Sequence, residues 1–383
     1  MQGVRILDLG RVLAGPWATQ ILADQGADVI KVEPPGGDET RAFEPAVDGV
    51  STYFLSVNRN KRSIVLDLTT EAGQSVLQRL VASSDVVLEN FRPGVAARLG
   101  LDWAGLEKAH PRLIYVAIHA FGDAGPLADR PGYDMVLQAA GGAMSFTGRP
   151  GDPPLRSGAP VADLVAGLLA AQAMTAGLFD RERTGRGQRI VVNMMAAQVA
   201  SLVYHGTRQM LTGESETQRG NAHRGLVPYD VFSCVDGHVV VACGNDRMWA
   251  RLRVALGLED VPAWRTNRGR VAAREAVDSA IASVLAPLTV AAADQRLAAA
   301  GVPAGAVLNV EAAVNHPAVA NVTVTHDRLG RIPLPTPALV TRTSRFDHRA
   351  PPELGADRDA ILSDLGYDEG AMAQLAAQGA FGP

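Results

Sequence analysis

The chain has 383 residues, 47% apolar and 20% charged, with 36 Lys and Arg against 40 Asp and Glu and a net charge of −4. That length exceeds one compact core and suits two or three domains of roughly 100–200 residues, and the composition excludes a disordered chain. The net charge argues against a general attraction to nucleic acid or to an anionic membrane, and no run of about 20 uninterrupted apolar residues proposes a membrane span.

In chain order the first half alternates strand and helix patterns. A short apolar strand over 4–9 (VRILDL) is followed by helical spacing over 15–27, at Ile21, Leu22 and Ala27. No charged-then-apolar leader precedes that strand, so a secretory signal is not expected. DVIKVE (28–33) and SIVLDL (63–68) read as strands, 72–84 as an amphipathic helix, and DVVLEN (85–90) and RLIYVAIHAFG (112–122) as further strands. Strands separated by helices of this length predict βαβ units and a parallel sheet. Its ligand site lies beyond the carboxyl ends of the strands. A long helix over 161–183 stops at Gly185, and 189–211 reads as a strand running into another helix.

The pattern then changes. Residues 226–243 predict a β-hairpin turning at Asp236-Gly237, followed by helical segments that suggest a separate α+β domain. Cys234 and Cys243 flank that turn unequally, so a disulfide is not expected, which suits a reducing, cytoplasmic setting. The Pro-rich 331–340 is expected to be extended and to lead to a final helix near 357–378. The resulting division is a large Rossmann-like α/β domain over 1–205, a linker over 206–222, a small α+β domain over 223–308, a linker over 309–335, and a C-terminal segment over 336–383 that returns to the large domain.

Several chemistries are absent at the level of motif. The turn after the first strand, GRVLAGP, holds Gly10 and Gly15 without the G-x-G-x-x-G spacing a pyrophosphate needs, and Pro16 replaces a donor N–H. A helix packed on a sheet through small residues is the favoured reading there, over a dinucleotide site ending at Glu33. The eight histidines are scattered without metal-ligand spacing, so no metal is expected, and no G-x-S-x-G elbow appears. Arg59, Lys61 and Arg62 before one strand, with Asn90, Arg92 and Arg98 after another and Arg130 before PGYD, form a candidate phosphate-binding set. Their alternative is solvated surface charge; location tips the reading toward function.

The most pointed feature is Asp163 in GAPVADLVAGLL, with no Lys, Arg or His in the ten residues that follow. Pro160 as the first helical residue would place Asp163 in the first turn, where free N–H groups and the helix dipole stabilise a carboxylate by about 0.3–1 kcal/mol. Ala159, Ala162, Ala166 and Gly167 would leave room beside it. A helix-start carboxylate with no chemistry and a nucleophile held ionised are both open on this physics.

The stretches LDLGRVLAGPWATQILADQGADVIKVEPPGGDETR, YFLSVNRNKRSIVLDL, VVLENFRPGVAARLGLD, RPGYDMVLQAAGGAMSFTG and ADLVAGLLAAQAMTAGLFDRERTGRGQ, in that order, resemble the class III (CaiB/BaiF) CoA-transferases over essentially the whole chain. STYFLSVNRNKRSI and GNAHRGLVPYDVF are most like the succinyl-CoA–glutarate, or dicarboxylate, branch. The resemblance implies that Asp163 is the nucleophile, forming acyl anhydride and CoA thioester intermediates in a water-poor pocket. It implies that coenzyme A or acyl-CoA is a substrate, with no permanently bound cofactor. Leu13 and Ala14 would line the pantetheine end. Leu66, Asp67, Leu68 and Thr69 would hold the adenine. Asn90, Phe91 and Arg92, with Arg98, would bind the nucleotide and phosphates. Arg130, Pro131, Gly132 and Tyr133 would border the pantetheine and thioester. Gly141 and Gly142 are read as packing positions.

It also implies an interlaced homodimer. Two departures separate this chain from formyl-CoA transferase: a tetraglycine loop is replaced by NAHRG (221–225), and Pro34 stands where some members carry a CoA-binding Arg. Arg224 or His223 would then meet the distal carboxylate of a diacid, with Gly225 in the same substrate-binding segment. The alternatives are an α-methylacyl-CoA racemase on the same fold and a noncatalytic CoA-binding protein. A racemase places His where this chain has Tyr133 in Gly132-Tyr133-Asp134, and a tyrosine, with a reference pKa near 10, is a poor base at neutral pH.

Overall fold

The computed structural model describes residues 1–319, 321–335 and 347–382. The chain forms two compact units: Met1–Ala143, Arg156–Gly213 and Val319 onward make the first, and Met144–Leu155 with Glu214–Ala318 the second.

The first unit is α/β. In chain order it contains β1 (Arg5–Asp8), α1 (Ala14–Asp24), β2 (Asp28–Glu33), a small ribbon of β3 (Ala46–Val47) and β4 (Val50–Ser51), α2 (Thr52–Val57), β5 (Lys61–Val65), α3 (Glu71–Ala82), β6 (Val86–Glu89), α4 (Val95–Arg98), α5 (Trp103–Ala109), β7 (Ile114–His119), α6 (Asp134–Ala140), α7 (Val161–Thr184), β8 (Gln188–Asn193), α8 (Met194–Ala200) and α9 (Tyr204–Thr212). Six strands form one parallel sheet in the order β5-β2-β1-β6-β7-β8. Alternation along each strand sends successive side chains to opposite faces. Ile6, Val86, Leu88 and Val116 pack with α1 and α7 on one face, and Leu7, Val87, Tyr115 and Ala117 with α3 on the other. Each fully buried Leu, Ile or Val contributes roughly 1.5–3 kcal/mol.

Local chemistry sets the helix limits. Thr70 caps α3 by accepting from the Gly73 amide at 3.0 Å, and Val76, Leu77, Leu80 and Val81 bury its apolar stripe. α7 runs 24 residues and ends at Gly185, whose φ of 73° supplies the left-handed stop. By length and composition α7 could cross a bilayer; here its Ala162, Ala166, Ala170 and Met174 are fully buried in the core of the unit.

The second unit holds β9 (Tyr229–Cys234), β10 (Gly237–Ala242), α10 (Asp246–Leu256), α11 (Asn267–Ala272), α12 (Arg274–Leu285), α13 (Val290–Ala299), β11 (Ala304–Ala306) and α14 (Val310–Val314). Cys234 pairs with Gly237, so the hairpin turns at Val235-Asp236, one residue earlier than expected. β11 adds a third antiparallel strand on β10. Its core includes Arg270, which donates to the carbonyls of Val227 and Trp264 and to Asp246 at 2.7–2.9 Å.

The chain then returns to the first unit through the hairpin β12 (Val322–His326) and β13 (Gly330–Leu334) and two helices, α15 (Arg358–Asp364) and α16 (Glu369–Ala377), in place of one. Residues 336–340 of the segment expected to be extended lie outside the described residues. The stretches expected as linkers carry regular structure: α9 reaches Thr212, and α14 and the β12–β13 hairpin fall within 309–335. Residues 144–155, expected in the large domain, cluster with the second unit.

Candidate active site

The sheet order places β1 beside β6, and the chain works outward to β2 and β5 before returning through β6 to β7 and β8. Ligands bind beyond the carboxyl ends of the strands at such a reversal. A cavity of about 370 Å³ lies there, walled by the loops after β1, β6 and β7 and by the start of α7.

The loop after β1 is held by a buried polar network beneath it. Asp8 accepts from the Gly10 amide (2.8 Å), the Thr19 hydroxyl (2.7 Å) and Lys61 Nζ (2.9 Å). Lys31 Nζ donates to the Gly10 carbonyl and to Asp38, both at 2.9 Å. Burial pushes Asp8 up, but Lys61 and Lys31 more than offset it and hold the carboxyl below its ordinary range. A Cβ on Gly10 would fall 2.8 Å from Asp8 Oδ1 and 3.0 Å from the Gly15 Cα, so this turn needs glycine for close approach. Val12, in the cavity wall, has φ 63°, a region that costs a β-branched residue strain. The loops after β1 and β6 are tied by one side chain: Asn90 accepts from the Arg11 amide and donates to the Arg11 carbonyl, each at 2.8 Å.

Asp163 stands in the first turn of α7, half-buried, in the wall of this cavity. Its carboxylate has no hydrogen bond or ion pair among the described residues. Burial, and then the neighbouring Asp134 carboxylate, push its pKa up to about 7. This corrects the expectation that the helix start holds Asp163 ionised. The free amides of that start are taken by another residue: Asp134 Oδ1 accepts from the Ala162 amide at 2.9 Å and the Asp163 amide at 3.4 Å. The small residues near Asp163 also have a structural use. Ala162 and Ala166 are fully buried, and a Cβ on Gly167 would sit 2.8 Å from both the Ala14 carbonyl and Trp17 Cδ1. They bring α7 against α1.

Of the expected CoA-contacting residues, Leu13, Ala14, Asn90, Phe91, Arg92, Arg130, Pro131, Gly132 and Tyr133 line the same cavity as Asp163. Leu66, Asp67, Leu68 and Thr69 follow the carboxyl end of β5 on the same edge of the sheet, outside the cavity wall, with Asp67 accepting from the Thr69 amide and hydroxyl. Arg98, also outside it, is exposed at the end of α4. Gly141 packs against Gln198, with no space for a Cβ, and Gly142 has φ 82°.

His223, Arg224 and Gly225 belong to the second unit. There Arg224 is ion-paired to Glu216 at 2.9 Å, His223 Nδ1 accepts from the Gly225 amide at 3.0 Å, and Arg274 Nη2 ties the segment by donating to the Leu226 carbonyl at 3.2 Å. Arg219, Arg224 and Arg274 line an open cleft of about 770 Å³ in that unit.

One group of expected cations is not a phosphate site. Arg59, Lys61 and Arg62 lie at the amino end of β5, the wrong edge of the sheet, and each is neutralised. Arg59 is paired with Asp24 at 2.6 Å, Lys61 with Asp8 at 2.9 Å, and Arg62 with Asp28 and Asp364, both at 2.8 Å. By contrast Arg11, Arg92, Arg98 and Arg130 have no carboxylate partner among the described residues. Glu33 is likewise occupied, by Arg41, Ser63 and the Asp38 amide.

Sequence reasoning missed five residues. Arg11, in the cavity wall, and Asp134, which accepts from the Ala162 amide, are two. Tyr53 on α2 is close enough for Asp163 to act on it: burial, then Asp163, Asp134 and Asp38, raise its hydroxyl to about 12. Glu39 and His119 also line the cavity. His119 is 5% exposed, its Nδ1 lacks a partner among the described residues, and its Nε2 lies 3.7 Å from Glu89. Its place at the end of an apolar strand was the signal available in the sequence.

Comparison with known proteins agrees in its extent. A sequence model of CoA-transferase family III matches residues 1–358. A succinyl-CoA:glutarate CoA-transferase of Mus musculus is 39% identical, with 99% of this chain and 89% of that protein covered. A succinate–glutarate CoA-transferase of Agrobacterium fabrum is 37% identical, with 95% of each covered. The crystal structure of a CaiB/BaiF family protein from Brucella suis superposes with a TM-score of 0.83 at 37% identity, over 95% of this chain and 98% of that one.

Proposed function

We infer the reaction from membership and geometry together: the chain belongs to CoA-transferase family III, and it moves coenzyme A from an acyl-CoA donor to a carboxylic acid. The observation that carries this is Asp163, a carboxylate without a counterion among the described residues, in the wall of the switch-point cavity. Its Oδ attacks the donor thioester carbonyl, the C–S bond breaks, and CoA leaves as a thiolate from an aspartyl–acyl anhydride. The thiolate attacks the Asp163 carbonyl carbon and expels the donor acid as its carboxylate, leaving an aspartyl-CoA thioester. The acceptor carboxylate attacks that thioester and the sequence runs in reverse, giving the new acyl-CoA and free Asp163. No net proton or ATP is consumed. An unpaired carboxylate is the better nucleophile, since a tight ion pair would hold its electrons.

Arg11, Arg92, Arg98 and Arg130 suit the phosphates of CoA, being cations at the correct sheet edge without counterions among the described residues. Leu13, Ala14 and Pro131 to Tyr133 suit its pantetheine arm, and Leu66 to Thr69 its adenine. Succinyl-CoA is the proposed donor and a C4–C6 dicarboxylate such as glutarate the acceptor, supported by the names of the relatives above. Arg224 is the proposed partner of the distal carboxylate, with His223 and Gly225 shaping its loop. A second copy covers the exposed apolar side chains of α7 and α9, among them Phe179, Tyr204, Met210 and Leu211, and a reducing, cytoplasmic setting suits two free cysteines.

An acceptor screen with succinyl-CoA and acetyl-CoA, read by mass spectrometry of the CoA products, tests the reading. Hydroxylamine trapping must label Asp163 when a donor is added; no label defeats it and leaves a CoA-binding protein. Because His119 lines the same cavity, a racemase is the second reading. Exchange of the donor α-proton in deuterated water, without acceptor acid, would establish it.

A further inference from the structure

The Asp134 carboxylate is fixed from three sides. Its Oδ1 takes the Ala162 and Asp163 amides at 2.9 and 3.4 Å, and its Oδ2 accepts from Gln138 Nε2 at 2.7 Å. Gln138 is itself held, its Oε1 accepting from the Ser157 amide at 2.9 Å. Asp134 begins α6, so it caps α7 from a different helix, and the Pro160 N-cap has no hydrogen-bonding side chain of its own. A carboxylate that accepts from the backbone of residue 163 fixes where the Asp163 side chain starts. It also adds a negative charge beside a group that must itself be negative to attack.

We propose that Asp134 is a positioning residue for Asp163, one that orients the nucleophile through its own backbone amide and adds to the pH dependence of its activation. The inference rests on the transferase reading above. Its electrostatic half follows from the neighbours. Asp134 from α6 and Tyr53 from α2 lie close to Asp163. β7 contributes His119 to the cavity, the loops contribute Arg11, Glu39, Arg92, Arg130 and Tyr133, and α1 and α8 contribute only Ala14 and Met194. Of these charges, Asp134 is the one that acts on Asp163.

The test is single-turnover labelling of Asp163 by succinyl-CoA across pH 5–9, followed by mass spectrometry of the intact full-length enzyme. In the wild type, labelling is expected to rise with pH about a midpoint near 7. Asp134→Asn keeps an oxygen for both amides and removes the charge. It is expected to lower the midpoint by about one unit, a tenfold change in proton affinity, while the plateau rate stays within about threefold. Asp134→Ala is expected to lower the midpoint as well and to reduce the plateau at least tenfold.

An unmoved midpoint in Asp134→Asn overturns the proposal, and so does an equal plateau loss in both variants. Should the Asn variant not fold, Gln138→Met decides the matter. It strips a donor from Asp134 and is expected to raise the midpoint, so an unchanged or lowered midpoint counts against the proposal. If wild-type Asp163 is never labelled, the transferase reading itself has failed; if it is labelled and the variants do not move the midpoint, only this inference has.

Discussion

Lys61 Nζ lies 2.9 Å from Asp8 Oδ2, and both side chains are completely buried. Lys61 also donates to the Pro16 carbonyl and to Asn58, so a single ammonium joins β1, β5 and the start of α1 beneath the cavity. Removing it leaves a buried carboxylate with one fewer cation. Lys61→Met is expected to cost about 3–5 kcal/mol, read as a fall in the urea midpoint; a loss under 1 kcal/mol would show the network to be dispensable.

Asp163 should tax the fold at neutral pH. Its folded pKa of about 7 lies above the unfolded value near 3.9. The folded state therefore holds a proton the unfolded state has released, and stability falls as pH rises from about 4 to 7. Asp163→Asn is expected to lose transfer activity by ~10³-fold or more. It should melt roughly 2–5 °C above the wild type at pH 8, with no difference at pH 4. A variant equally stable at both pH values would contradict the raised pKa.

Gly167 sets how closely the nucleophile's helix approaches the start of α1. Gly167→Ala puts a methyl 2.8 Å from the Ala14 carbonyl, with an expected cost of about 1–3 kcal/mol. Because Ala14 also lines the cavity, kcat/KM for the acyl-CoA should drop at least tenfold. Thermal melts and initial rates check the two effects separately.

Val12 carries strain at φ 63°. Val12→Gly is expected to relieve it and raise stability by about 1 kcal/mol, while the loosened loop raises the donor KM. A lower melting temperature would refute the strained conformation.

Arg224 already holds Glu216 at 2.9 Å. If it meets the acceptor's distal carboxylate, Glu216→Gln should free it and lower the acceptor KM roughly two- to fivefold. Arg224→Ala should raise the acceptor KM far more than the donor KM. Equal effects on both substrates would remove Arg224 from acceptor recognition.

What could be read from sequence was local. DVIKVE matches β2 residue for residue, and Asp163 lies in the first turn as expected, although Pro160 is the N-cap and Val161 the first helical residue. β5 begins at Lys61, two residues earlier than expected, because Lys61 and Arg62 look like turn residues until Asp8, Asp28 and Asp364 neutralise them from distant parts of the chain. β11 is three small residues with no alternation to detect. The cap on α7 comes from Asp134, 29 residues before Asp163, and no helix-start rule reaches that far. The cavity wall near Asp163 was therefore largely legible, whereas the charges that tune it were not.

The two-way bond between Asn90 and the Arg11 backbone has a consequence for variation. Only a short side chain offering both a donor and an acceptor can close it. Aspartate has no donor, serine is too short to span the same pair, and glutamine carries an extra methylene. A library randomised at position 90 and selected for activity should therefore return asparagine almost alone. Natural divergence in substrate choice would then have to be written into positions that surround this joint, leaving the joint itself untouched.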